Sequence, residues 1–196
     1  MKKRIAKIER KTKETQISIN LNIDGTGSYS VQTGLPFMNH MLELFSKHSL
    51  IDMRVRAKGD IDVDYHHLVE DMGLTLGMAL DKALGSRAGI RRYGNCAIPM
   101  DDSLSRAAVD LGGRPFLLFT VAVRRKKILD FDLGLIREFL QAFVVQARMN
   151  LHVEQAYGKE PHHAYESVFK AIARALRAAC EKDPRVKGLP TSKGCI

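Results

Sequence analysis

Thiol chemistry has little to work with in this chain. Cys96, Cys180 and Cys195 are the only cysteines in 196 residues, and no two form a C-x-x-C pair. An odd, scattered set of three argues against a disulfide framework and for a reducing compartment. Long apolar runs are also missing: none approaches the roughly 18–20 residues that span a bilayer. The opening MKKRIAKIERKTKE is basic but has no apolar core behind it, unlike a secretory leader. A cytoplasmic protein without membrane association is therefore expected. Tryptophan is absent, and the five Tyr and eight Phe form no stacking series beside Arg. Nothing reads as a basic recognition helix either, so the net charge of +9 does not imply a nucleic-acid partner. Residues 1–13 carry seven Lys or Arg against one Glu, which accounts for most of the excess. Such a strip suits a solvated basic strand or a small anionic substrate.

The remaining sequence runs through one plan twice. TQISINLNID alternates, with Ile17, Ile19, Leu21 and Ile23 on one side, as in a strand with one buried face. Pro36 suits the first turn of a short helix over 36–48 that carries His40 and His48. IDMRVRAKGDIDVDY predicts a hairpin in which Met53, Val55 and Ala57 face Ile61 and Val63. A helix over 66–84 follows, with Met72, Leu76, Ala79, Leu80 and Ala83 along one stripe. The second pass has strands in SRAAVDLGG and RPFLLFTVAV, a helix carrying Glu138, a strand in LHVEQAYGKE, and a last helix beginning at HHAYES. The expected fold is α+β: an internal duplication of two similar halves, each an antiparallel four-stranded sheet with helices on one face. The halves are assigned to 1–93 and 94–183. Residues 184–196 form a non-periodic C-terminal tail.

The duplication includes the histidines. His66-His67-x-x-Glu70 returns as His162-His163-x-x-Glu166, 96 residues later. His40 precedes the first pair by 26 residues and Glu138 precedes the second by 24. On a helix Glu70 lies about 40° and His67 about 100° from His66, so the three share one sector. Adjacent imidazoles diverge too far to share one small ion; they suit two ions, or one ion and a second site. A single histidine at a helix start is ordinarily a surface or capping residue, and a following Glu ordinarily complements the helix dipole. Repetition of the whole pattern favours metal binding by His40, His66, His67, Glu70, Glu138, His162, His163 and Glu166. Imidazole plus carboxylate without thiolate suits Mn, Fe, Zn or Ni. His152 reads as a packing residue or a support to the ligands, and His48 as a residue lining the site.

Together with those pairs, RKTKETQISINLNIDGTG, GLPFMNHML, HHLVED, GIRRYG, DLGGRPF, HHAYESVFKAIARALRAA and LPTSKG stand in an order that resembles the imidazoleglycerol-phosphate dehydratase family along essentially the whole chain. The resemblance implies a duplicated fold, two Mn2+ per active site with ligands from more than one subunit, and a 24-subunit shell built from trimers. It implies that the eight residues above are the ligands. Arg92, Arg114, Ser192 and Lys193 would hold a phosphate, with Thr191, Lys170 and His48 in the substrate pocket. Glu14 would be the catalytic base. The implied reaction removes water from imidazoleglycerol phosphate to give imidazole acetol phosphate, a step of histidine biosynthesis. Glu138 stands where many members have His, Asn39 where Asp is common, and Tyr65 where Asp is frequent; MDDSL replaces a more usual Asp-Glu pair. A di-metal phosphate-ester hydrolase is the alternative: it would use the same ligand types but release phosphate.

Overall fold

The structure is a computed structural model that describes residues 3–196; Met1 and Lys2 of the basic strip lie outside it. Alternating side chains create the first sheet, from β1 (Ile5–Lys11), β2 (Thr15–Asn22), β3 (Tyr29–Gln32) and β4 (Asp52–Gly59). Ile17, Ile19, Leu21, Met53 and Val55 fill its inner face. Its outer face carries Gln16, Ser18, Asn20, Arg54 and Arg56. The strand order is β1-β2-β4-β3. A second sheet repeats it as β5-β6-β10-β7, from β5 (Tyr93–Met100), β6 (Ser103–Asp110), β7 (Phe116–Thr120) and β10 (Asn150–Tyr157). Between β7 and β10 lies a small two-stranded ribbon, β8 (Lys127–Ile128) with β9 (Phe131–Asp132).

Four helices complete the fold: α1 (Pro36–Ser49), α2 (His66–Leu84), α3 (Leu135–Ala147) and α4 (Pro161–Cys180). The expected α+β duplication is present, with two differences. Each sheet is antiparallel over three strands only; β3 runs parallel to β4, and β7 parallel to β10. The reason is connectivity. A helix, α1 or α3, joins each of these pairs, and a helical crossover returns the chain in the same direction. The expected hairpin after residue 51 also does not form. β4 ends at Gly59, and Ile61 and Val63 sit in a turn at 44% and 71% exposure. β4 already has β2 and β3 on its two edges, so no edge remains for a third partner.

The helices lie between the two sheets, and they pair across the duplication: α1 packs on α4, and α2 on α3. Gly73 and Gly77 allow the second crossing. A Cβ at Gly73 would stand 2.3 Å from the Phe139 carbonyl oxygen, and one at Gly77 2.6 Å from that of Phe143. One apolar core therefore contains side chains from both halves.

Arg87 fastens the far end of this packing. It is 1% exposed, yet it donates to the carbonyls of Leu111 (2.9 Å), Ala147 (2.8 Å) and Arg148 (2.9 Å) and pairs with Asp81. These partners come from α2, the end of α3 and the segment after β6. Arg87→Met would leave several buried acceptors unsatisfied and should cost about 3–5 kcal/mol. In a chain of this size that is a fall of about 10 °C in Tm. A Tm within about 2 °C of the parent would contradict this role.

Candidate metal centre and substrate site

Helix starts place the ligand-type side chains. α4 begins with Pro161 at its first position, and Glu160 caps it by accepting from the backbone N–H of His163 at 2.9 Å. This cap fixes the turn that carries His162, His163 and Glu166. α1, which also opens on a proline, brings His40 alongside. Glu166 Oε1 lies 2.9 Å from His40 Nε2 and 3.1 Å from His162 Nε2. The two imidazoles stack with centroids 5.3 Å apart, and Phe37 packs edge-on against His162. Among the described residues this is the one group of three whose donor atoms all lie within 4.8 Å of one another.

Glu166 is held as a carboxylate. Burial pushes its pKa up, but hydrogen bonds from Lys170, His40 and His162 outweigh that and bring it to about 2. Lys170 Nζ donates to Oε2 at 2.5 Å, leaving Oε1 to face the two imidazoles. Two nitrogens and one oxygen on rigid helices, with both histidine side chains about 40% exposed, fit a divalent ion with open positions.

The second set is not assembled in the same way. His66 and Glu70 approach to 3.6 Å on the first turns of α2, while Glu138, in the first turn of α3, contacts its neighbour Arg137 at 3.4 Å. His67 and His163 are turned elsewhere. Asp60 lies 3.0 Å from His67 Nδ1 and Asp102 lies 3.0 Å from His163 Nδ1. These hydrogen bonds hold the pKa of each imidazole above the ordinary value. Asp102 in turn is held well below the usual carboxylate range by the backbone N–H of Lys159, by His163 and by the N–H of Glu160. A carboxylate on Nδ1 fixes the ring and directs Nε2 outward, the usual support for a metal-binding histidine. Asp101 is the nearest acid to that nitrogen in His163, at 3.4 Å.

The expected substrate-binding residues occupy several places. Glu14 is exposed in the β1–β2 turn, with Oε2 3.9 Å from His67 Nδ1. Arg92 makes a two-point contact with Asp110 (2.7 and 3.1 Å) and donates from Nη1 to the Pro190 carbonyl at 2.9 Å. The tail bearing Thr191, Ser192 and Lys193 is thereby tied to Arg92. The opposite end of the tail reaches the Gly112–Gly113 turn, where a Cβ on Gly113 would stand 2.8 Å from Ile196. Arg114, exposed just beyond that turn, accepts through its carbonyl from Asn150. His48 lies further along α1, its pKa lowered by burial and by the nearby charges of Lys170 and Arg174. His152 stands exposed on the outer face of the second sheet, tilted against Phe116 at 5.6 Å. Sequence reasoning missed Asp60 and Asp102 as partners of the histidines. Asp102 is 61 residues from His163, so no local pattern marks the pair.

A doubled α+β fold with histidine and carboxylate ligands at its helix starts defines the class: a duplicated protein with a metal-type centre formed from both halves. Solved structures share this fold. The family model described as imidazoleglycerol-phosphate dehydratase matches residues 33–176. The chain is 53% identical to the imidazoleglycerol-phosphate dehydratase of Ruegeria pomeroyi, over 98% of this chain and 100% of that one. It is 51% identical to that of Geobacter metallireducens, over 97% and 98% respectively. The crystal structure of the Staphylococcus aureus dehydratase superposes with a TM-score of 0.83 at 36% identity, covering 91% of this chain and 99% of that one. The Pyrococcus furiosus structure, in complex with (S)-C348, gives 0.83 at 33%, covering 96% and 100%. This chain belongs to the imidazoleglycerol-phosphate dehydratase family.

Proposed function

We propose that the protein removes water from imidazoleglycerol phosphate to form imidazole acetol phosphate in histidine biosynthesis. The observation that carries this reading is the convergence of His40, His162 and Glu166 within the fold of that family. The eight histidine and glutamate ligands would hold two Mn2+ ions per site. When bound, these ions supply Lewis-acid stabilisation for negative charge on the azole ring. The outward Nε2 atoms of His67 and His163 support a site completed by neighbouring subunits, because neither ring turns into the cluster of its own chain.

The protein's own residues would then hold the phosphorylated chain and move the proton. Arg92 spends three of its five N–H groups on Asp110 and Pro190, which leaves a pre-aimed pair for a phosphate oxygen. Lys193 and Ser192 lie on the tail that Arg92 ties down. Arg114, Thr191, Lys170 and His48 complete the pocket. Glu14, solvent-accessible beside His67, takes the carbon-bound proton. The hydroxyl on the neighbouring carbon, next to the ring, departs with its C–O bond pair and leaves as water, and the resulting enol takes up a proton on carbon to become the ketone.

Assembly into a 24-subunit shell of trimers in the cytoplasm is part of the same reading. The second sheet supports it by exposing Tyr93, Phe116 and Leu118 at 47–59%, an apolar outer face suited to burial between subunits. No helix of the described residues is long and apolar enough to cross a membrane.

Chelation should abolish turnover of imidazoleglycerol phosphate, and Mn2+ should restore it, with ketone formed and no phosphate released. Full activity in metal-free protein, or release of phosphate, would overturn the reading. Sedimentation should give about 24 times the 22.0 kDa chain mass; a lone chain that retains full activity would refute the shared site.

A further inference from the structure

Asp71 is a buried carboxylate, 7% exposed, that belongs to none of the ligand sets above. It directly follows Glu70 on α2, and both of its oxygens are engaged. Oδ1 accepts from Arg10 Nε at 3.0 Å and pairs with Arg10 Nη2 at 2.9 Å. Oδ2 accepts from Thr15 Oγ1 at 2.5 Å. Thr15 is itself 4% exposed, so this hydroxyl is shielded from solvent.

Proton counting then fixes the direction of the next bond. Thr15 has one hydroxyl proton and gives it to Asp71, so at the 3.2 Å contact between Thr12 Oγ1 and Thr15 Oγ1 the donor is Thr12. The Thr12 oxygen is left to accept, and it does so twice, from the backbone N–H of Glu14 at 3.1 Å and of Thr15 at 2.9 Å. The turn is closed by Thr12 N–H on the Thr15 carbonyl at 2.9 Å. From its other side, the Glu14 carbonyl accepts from the N–H of Asp60, whose carboxylate holds His67.

We propose that Asp71 is a positioning residue for Glu14, acting through the ordered hydroxyls of Thr15 and Thr12. The start of α2 then does two things: it carries His66, His67 and Glu70, ligands in the proposed site, while Asp71 grips the loop that presents the base. The distance between base and ligands is set by the helix and not by loop flexibility. This inference rests on the reading of Glu14 as the base. Loss of the relay leaves Glu14 present but loosely placed, and displacements of about 1 Å at a reacting group cost up to about 100-fold in rate.

The test uses the Mn2+-loaded protein with Thr12→Val, which keeps side-chain shape near the surface and removes the hydroxyl. Asp71→Asn, nearer the core, serves as a second probe. Thr12→Val is expected to lower kcat about tenfold with KM and bound Mn2+ unchanged, and Thr12→Ser to restore most of the loss. In a Glu14→Gln background, Thr12→Val should cost no more than about twofold further, because the residue it positions has lost its function. Parental kcat in Thr12→Val, or the same tenfold loss in the Glu14→Gln background, would overturn the relay. Parental kcat in Glu14→Gln alone would instead remove Glu14 as the base, and the relay with it.

Discussion

Everything in this protein depends on helices pairing across the duplication. If α1 packed on α2 and α3 on α4, each half would bury its own apolar stripes and stand alone. Instead α1 lies on α4 and α2 on α3, with Gly73 and Gly77 bringing backbones close enough for the second crossing. His40 from the first half consequently meets His162 and Glu166 from the second, 122 and 126 residues away in sequence. The same packing that removes apolar surface from water thus brings these three side chains together. A centre divided between halves in this way cannot exist before the core has formed.

Electrostatics refine what packing places. Glu166 is buried, where a carboxylate ordinarily gains a proton, but Lys170 and the two imidazoles keep it ionised. Asp60 and Asp102 perform a related task at a distance, orienting His67 and His163 through Nδ1. Each pair is thus supported through Nδ1, but by aspartates that the duplication does not relate, since they sit in non-equivalent loops. Asp60 follows β4, whereas Asp102 occupies the turn between β5 and β6. The same carboxylate–imidazole hydrogen bond is therefore supplied from different places in the two halves.

Much of this was legible in the sequence. Alternation in TQISINLNID and the apolar stripes after both His-His pairs located β2, α2 and α4, because one-sided burial imposes those periods. Repetition of His-His-x-x-Glu singled out His162 and Glu166, which the structure brings together with His40. The edge strands were less legible. β3 has only four residues, largely exposed, and β5 alternates between exposed and half-buried positions, so neither shows a clear apolar face. The expected hairpin failed for a related reason: Ile61 and Val63 alternate correctly, but the edges of β4 were already taken. Contacts such as Asp71 with Thr15 and Arg10, or Arg87 with three carbonyls, depend on tertiary geometry and leave no local signature.

In the proposed site, His40, His162 and Glu166 surround one ion. Anomalous diffraction at the manganese edge, from crystals soaked in Mn2+, tests it most directly. The account predicts a peak between His40 Nε2, His162 Nε2 and Glu166 Oε1 in every copy of the chain. Manganese bound elsewhere, with those three side chains still in direct contact with one another, would contradict it.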